Sequence, residues 1–277
     1  MAQCLTPFYV KDRHTKDELP VPCGKCPVCS ARRVSGWSFR LIKEGERSSS
    51  SFFVTLTYDT DHVPITSKGY MSLSKEHLQK YFKRLRKLND QKLKYYAVGE
   101  YGGKTMRPHY HIILFNAKLE TVLKAWALDG KYFGDYHVGK VTEASIGYTM
   151  KYISKTKKVP THKNDDRLPE FALMSKRMGE NYLTDAMVKW HKADIGNRMY
   201  CNLKDGKKIA MPRYFKQKLN LNETEQESIQ YQAQIRSIRE KISLEREHGK
   251  PYSDIIKSQI TESFNRRLRS QGKGEKL

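Results

Sequence analysis

The stretch "AVGEYGGKTMRPHYHIILFN", residues 97–116, leaves this chain few options. Two apolar-rich runs flank Gly102 and Gly103, residue types that let a chain reverse direction, so the runs read as the arms of a β-hairpin. Side chains alternate between the faces of a strand, so His109 and His111 point the same way, and Ile113 and Phe115 continue that face as core. The turn brings Glu100, at the end of the first arm, level with His109. If Val98 and Glu100 share the histidine face, two imidazoles and a carboxylate converge. Nitrogen and oxygen donors of this kind suit Mg²⁺ or Mn²⁺, and Zn²⁺ could also bind. The plainer alternative is two packed histidines and a solvated turn acid.

The elements around the hairpin are legible from periodicity. Val34, Trp37 and Leu41 fall at helical spacing between Ser30 and about Arg47. "SFFVTLTY", 51–58, and "KYYAVGEY", 94–101, read as strands. Ser74 can cap a helix to about Leu88, with Leu78, Phe82, Leu85 and Leu88 as its apolar stripe and Lys80, Lys83, Arg84, Arg86 and Lys87 around it. "LETVLKAWAL", 119–128, predicts a helix, and "YFGDYHVGKV" a strand pair or one bent strand. Residues 142–158 look helical, as does part of 171–199, and a short hairpin is expected around Asp205 and Gly206. Residues 222–248 form a charged helix with Tyr231, Ile235, Ile238 and Ile242 at three-four spacing, ahead of Arg266, Arg267, Arg269 and a polar tail. The expected class is α+β, a largely antiparallel sheet flanked by helices. Three parts are expected: a Cys-rich segment with the first helix (1–47), a central domain (48–215) and a charged helical extension (216–277).

Charge narrows the partner. Among 277 residues, Lys plus Arg number 52 against 30 acids, a formal net charge of +22. That excess exceeds what solubility requires and implies a polyanion, most simply nucleic acid. Arg32, Arg33, Lys83, Arg84 and Arg107 are the candidate DNA contacts. No window reaches the roughly 18 apolar residues of a spanning helix, and "MAQCLTPFYVKDRH" has no signal-peptide core. The expected location is cytoplasmic, without a membrane partner.

"IGYTMKYISK", 146–155, adds reactive groups. Residues four apart on a helix share a face, so Tyr148 and Tyr152 stack, flanked by Lys151 and Lys155, while Ile146, Met150 and Ile153 turn toward the sheet. A phenol, with a free pKa near about 10, is a poor nucleophile at neutral pH. It becomes useful where a metal draws charge from the phosphate under attack and cations favour the phenolate. The alternative is an amphipathic helix with two packing aromatics.

"FVTLTY", "RPHYHIILFN" and "YTMKYISK", in this order and spacing, resemble the three motifs of rolling-circle replication initiators of the HUH endonuclease superfamily, whose palm is a sheet of this class. The likeness is strongest to the gokushovirus type within the microviruses. It spans roughly residues 4–182, including "VPCGKCPVC"; the tail beyond has no matching motif. Tyr110 departs from the bulky hydrophobic residue usual between the two histidines. The resemblance implies that His109, His111 and Glu100 hold the catalytic Mg²⁺ or Mn²⁺. It implies that Tyr148 and Tyr152 are paired nucleophiles forming 5′-phosphotyrosine links to origin DNA, with Lys151 and Lys155 as phosphate or phenolate partners. Thr55 and Thr57 are read as structural. No G-x-x-x-x-G-K-[ST] motif is present, so unwinding falls to a host helicase and extension to a host polymerase. Two other readings stay open: a non-enzymatic, zinc-stabilised nucleic-acid-binding protein, and an HUH transposase or relaxase of another element.

Five cysteines are present: Cys4, Cys23, Cys26, Cys29 and Cys201. An odd count without an export signal argues against a disulfide framework. Cys4 with C-x₂-C-x₂-C fits a structural Zn²⁺ site that pins the N-terminal segment near Arg32 and Arg33, with His14 as a substitute for Cys4. An Fe–S cluster or unligated buried thiols are the alternatives. Cys201 stands apart.

Overall fold

The protein is described by a computed structural model covering residues 4–11, 16, 18–128, 130–155 and 159–273. In chain order the strands and helices are β1 (Phe8–Lys11), β2 (Glu18–Val21), α1 (Pro27–Gly45), β3 (Ser51–Leu56), α2 (Lys75–Leu88), β4 (Lys94–Tyr101), β5 (Pro108–Phe115) and α3 (Leu119–Lys124). There follow β6 (Ala127–Leu128), β7 (Lys131–Tyr132), β8 (Tyr136–Lys140), α4 (Glu143–Ser154), β9 (Phe171–Met174), α5 (Asp185–Ala193), β10 (Tyr200–Asn202), β11 (Lys208–Ala210), α6 (Arg213–Lys218), α7 (Glu223–His248) and α8 (Tyr252–Lys273). Two compact units result: Ser38–Asn181, and Met1–Trp37 with Tyr182–Leu277.

The first of these units holds a five-stranded antiparallel sheet in the order β8-β3-β5-β4-β9. The class is α+β, as the alternation of elements implied. β5 lies in the middle and is buried at every position but His109, which is why its sequence reads as a nearly unbroken apolar run. On one face Tyr110, Ile112 and Leu114 join Val54, Leu56 and Ala97 against Leu78, Tyr81, Phe82 and Leu85 of α2 and against Trp126. The other face carries His109, His111, Ile113 and Phe115, and α4 packs on β4 and β5 with Ile146 and Met150 buried. Ser74 caps α2 as expected, its hydroxyl accepting from His77 N at 3.1 Å. Leu88, however, is 44% exposed; Tyr81, fully buried, completes the stripe in its place.

Several expectations at element ends are corrected. "FALM", expected within a partly helical stretch, is the edge strand β9, because pairing with Tyr96–Gly99 of β4 outweighs the local helix preference of Ala, Leu and Met. The helix in that region is α5, beginning at Asp185 behind its cap Thr184. Only Leu119–Lys124 of "LETVLKAWAL" is helical; Ala127 and Leu128 turn back to pair with β7. α1 starts at Pro27, earlier than Ser30, since proline suits a first helical turn. In "YFGDYHVGKV" the chain bends at Gly134, φ +156°, where a Cβ would collide with the backbone of Tyr58 and Asp59. The expectation of helix to residue 158 runs beyond α4, whose last described neighbour is its cap Lys155; His14 and residues 274–277 lie outside the described residues.

Within the other unit, β10 and β11 form the expected hairpin around Asp205 and Gly206. His191 is fully buried between Tyr182 OH (2.9 Å) and the Arg198 carbonyl (2.7 Å), and Cys201 is a core residue. α7 and α8 leave Tyr231, Ile238 and Ile242 exposed. Among the described residues no helix is long and apolar enough to cross a membrane.

Candidate metal centre and tyrosine pair

The hairpin register pairs Glu100 with His109 and Val98 with His111, so all three polar side chains share one face at the open end of the sheet. Glu100 Oε1 lies 3.2 Å from His109 Nε2 and 3.1 Å from His111 Nε2. The opposite ring nitrogens are engaged: His109 Nδ1 with the Arg107 carbonyl at 3.1 Å, His111 Nδ1 with Thr55 Oγ1 at 3.0 Å. A carbonyl only accepts, so His109 Nδ1 carries the proton and, in the neutral ring, Nε2 turns a lone pair toward the carboxylate. Two such lone pairs facing an anionic oxygen repel unless protons or a cation lie among them. His111 Nε2 is buried and makes no hydrogen bond of acceptable geometry, although it is within ion-pairing distance of Glu100. Donor spacings just above 3 Å are those of neighbouring ligands around a cation bound at about 2.1 Å. Burial opposes ionisation of Glu100, but the two imidazoles outweigh it and hold the carboxyl well below the usual range. The set therefore fits a divalent cation, with Thr55 and the Arg107 carbonyl orienting the rings.

α4 carries the tyrosines past this cluster. Its first turn is fixed by a reciprocal cap between Thr142 and Ser145. The Tyr148 ring stands perpendicular to His111, centroids 4.9 Å apart, while Phe53 lies parallel to that imidazole at 5.7 Å. Burial, then the Glu100 charge and a hydrogen bond to it, raise the Tyr148 phenol above its ordinary value. Lys151 is exposed and sits over the Tyr148 ring at 5.3 Å. The Tyr152 hydroxyl donates to the Glu170 carbonyl at 3.2 Å. Lys155 Nζ pairs with Glu170 Oε1 at 2.5 Å and lies 4.0 Å from Glu100 Oε2.

Two of these groups escape a reading of the sequence. Thr55 reads there only as a core-strand residue; its partner His111 lies 56 positions away, and the facing of β3 and β5 is the one available signal. Glu170 has no motif around it and reaches the site only because β9 pairs with β4. Tyr110, the departure between the histidines, points to the opposite face. There its hydroxyl meets Tyr58 OH at 2.8 Å and the backbone N and O of Ser74, each at 2.9 Å. A polar tip is thus satisfied where a hydrophobic side chain would also fit.

The candidate DNA contacts divide by exposure. Arg32, Arg33 and Lys83 are exposed. Arg84 donates from Nε to the Ala125 carbonyl at 2.8 Å, with its guanidinium over Phe133. Arg107 grips the Tyr58 carbonyl through Nε (3.0 Å) and Nη2 (2.8 Å). Both of these arginines brace the fold.

A second cluster joins Cys4, Cys23, Cys26 and Cys29, whose sulfurs all lie within 4.8 Å of one another. Cys4 to Cys26 is 3.9 Å and Cys23 to Cys29 is 4.0 Å. These are far from a disulfide bond and close to about 3.8 Å, the edge of a tetrahedron with metal–sulfur bonds of about 2.3 Å. The amides of Lys25 and Cys26 donate to Cys23 Sγ at 3.4 and 3.3 Å, as in a metal-binding knuckle. Hydrogen bonding from Thr6, then from those amides, draws the Cys23 thiol down to about 5, whereas burial pushes Cys29 up to about 12. A tetrahedral cation would hold both as thiolates. Cys4 and Cys23 bracket the β1–β2 hairpin, which is too short to be stable alone.

Comparison with known proteins places this geometry in context. A family model for replication-associated proteins of the ORF2 type matches residues 51–157, from β3 to just past α4. The chain is 31% identical over 241 residues to the replication-associated protein ORF2 of Spiroplasma virus 4, covering 80% of this chain and 74% of that one. It is 30% identical over 223 residues to the replication-associated protein ORF4 of Chlamydia phage 1, where 71% of this chain matches only 53% of the relative. It is 26% identical over 232 residues to the replication-associated protein VP4 of Bdellovibrio phage phiMH2K, with 78% and 72% covered. No solved structure matches.

Proposed function

The chain belongs to the replication-associated proteins of the microviruses and is a replication initiator of that family, and from this premise we propose that it nicks and rejoins single-stranded origin DNA through a phosphotyrosine intermediate. The observation that carries the reading is the convergence of Glu100, His109 and His111 beneath a tyrosine whose ring lies 4.9 Å from His111.

Glu100, His109 and His111 would hold Mg²⁺ or Mn²⁺, which when bound withdraws charge from the scissile phosphate. Tyr148 loses its phenolic proton and its oxygen bonds phosphorus. The bond from phosphorus to the departing 3′ oxygen breaks, and that oxygen takes up a proton to become a free 3′-OH. The 5′ side stays esterified to the tyrosine, so the bond energy is retained and rejoining needs no ATP. In the closing step a 3′-OH gives up its proton, attacks the phosphotyrosine and releases the phenol. Lys151 and Lys155 neutralise charge on the phosphate or the phenolate. The cysteine cluster would hold a structural Zn²⁺. Exposed Arg32, Arg33 and Lys83 grip the DNA backbone, host helicase and polymerase supply unwinding and extension, and the setting is the host bacterial cytoplasm.

The test is incubation with Mn²⁺ and overlapping single-stranded oligonucleotides tiling the genome that encodes the chain. A covalent adduct is expected, lost when Tyr148→Phe and Tyr152→Phe are combined. Salt-sensitive DNA binding without adduct under any divalent cation would favour the non-enzymatic reading instead.

A further inference from the structure

Tyr148 and Tyr152 lie one helical turn apart, yet their hydroxyls have different surroundings. Tyr148 stands against His111 and Phe53, centroids 4.9 and 6.4 Å away, with Glu100 beside its phenol. The Tyr152 hydroxyl donates to a main-chain carbonyl, that of Glu170, at 3.2 Å. The Glu170 side chain, 6% exposed, receives Lys155 Nζ at 2.5 Å and the Tyr101 amide at 3.1 Å. The last β4–β9 pair is Gly99 with Phe171, so this carboxylate satisfies an amide for which the ladder has no strand partner. Lys155 is the residue that closes α4. One acid thus ties the end of β4, the cap of α4 and, through its own carbonyl, the second tyrosine into a single cluster.

Resting on the nicking reading above, we propose that Glu170 is a positioning residue that keeps Tyr152 in reserve, so that Tyr148 makes the first cut. The ion pair with Lys155 holds the last turn of α4 against the sheet edge, and this keeps the Tyr152 hydroxyl on the carbonyl. Tyr152 attacks only after that turn loosens. Approach of DNA supplies a reason for loosening, since a phosphate near Glu100 competes for Lys155, already 4.0 Å from that carboxylate.

The experiment is a single-turnover reaction of the full chain with Mn²⁺ and the oligonucleotide that gives the adduct, followed by proteolysis and mass spectrometry to identify the labelled tyrosine. Wild type is expected to carry DNA on Tyr148 at least about tenfold over Tyr152, the equivalent of one charge-assisted hydrogen bond. In Glu170→Gln the amide oxygen still accepts from Tyr101 but offers no charge to Lys155, and the share on Tyr152 is expected to rise about tenfold on the same basis. Lys155→Met breaks the pair from the other side, gives the same redistribution, and serves if the first variant folds poorly. Equal labelling in wild type, first labelling of Tyr152, or an unchanged distribution in the variants overturns the proposal and leaves the tyrosine chemistry standing. No adduct from wild type with any divalent cation overturns both.

Discussion

Thr55→Val isolates the one side chain that aims His111. Thr55 Oγ1 and His111 Nδ1 are 3.0 Å apart on paired strands, and the imidazole is otherwise held by the parallel ring of Phe53. Valine keeps the β-branched shape that a strand favours and removes only the hydroxyl. The ring then keeps its place but loses its tautomer and tilt. A buried polar atom left without its partner costs about 1–3 kcal/mol, and loss of an orienting partner behind a ligand histidine costs about 10–100-fold in metal affinity. The two scales agree, since tenfold is about 1.4 kcal/mol. Mn²⁺ affinity, followed by electron paramagnetic resonance on the folded chain, is expected to fall by about 10–100-fold. Thr57→Val is the internal control. Its hydroxyl donates to the Asp135 carbonyl at 3.0 Å and touches no imidazole, so its Mn²⁺ affinity is expected to match wild type. Equal affinities for wild type and Thr55→Val, or equal losses for both variants, would refute the orienting role.

Other expectations follow from the same geometry. Tyr148 in the metal-free protein ionises above its ordinary value because burial and Glu100 oppose the phenolate; a cation at the triad takes up that carboxylate and is expected to lower the transition, read by carbon NMR of ζ-labelled tyrosine assigned with Tyr148→Phe. An unchanged transition on adding Mg²⁺ or Zn²⁺ would count against the site. Cys26→Ser is expected to abolish tight zinc and lower the melting temperature, while Cys201→Ser, buried away from the cluster, leaves zinc content unchanged by elemental analysis. Lys83→Ala is expected to lower the salt slope of DNA binding by about one contact without loss of stability. Arg84→Ala shows the opposite pattern, a lower melting temperature from the lost tie to Ala125, with the salt slope retained.

Much of the centre was legible because its parts lie close in sequence. A glycine turn fixes which residues of two adjoining strands face each other, and strand alternation fixes the face, so Glu100, His109 and His111 had to meet once the hairpin formed. Helical spacing likewise put Tyr148 and Tyr152 on neighbouring turns, and the cysteine spacing is that of a knuckle. What the sequence by itself left open was decided by contacts between distant segments. "FALM" became an edge strand because β4 offered unpaired amides and carbonyls, which local propensity does not register. That pairing carried Glu170 to Lys155 and Tyr152. The pairing of β3 with β5 put Thr55 behind His111, and packing around the sheet turned Arg84 and Arg107 from free cations into struts against backbone carbonyls. Short-range order is written in turns and periodicity; which buried polar group finds which partner depends on packing the whole sheet, since each must be satisfied by whatever the fold brings within reach.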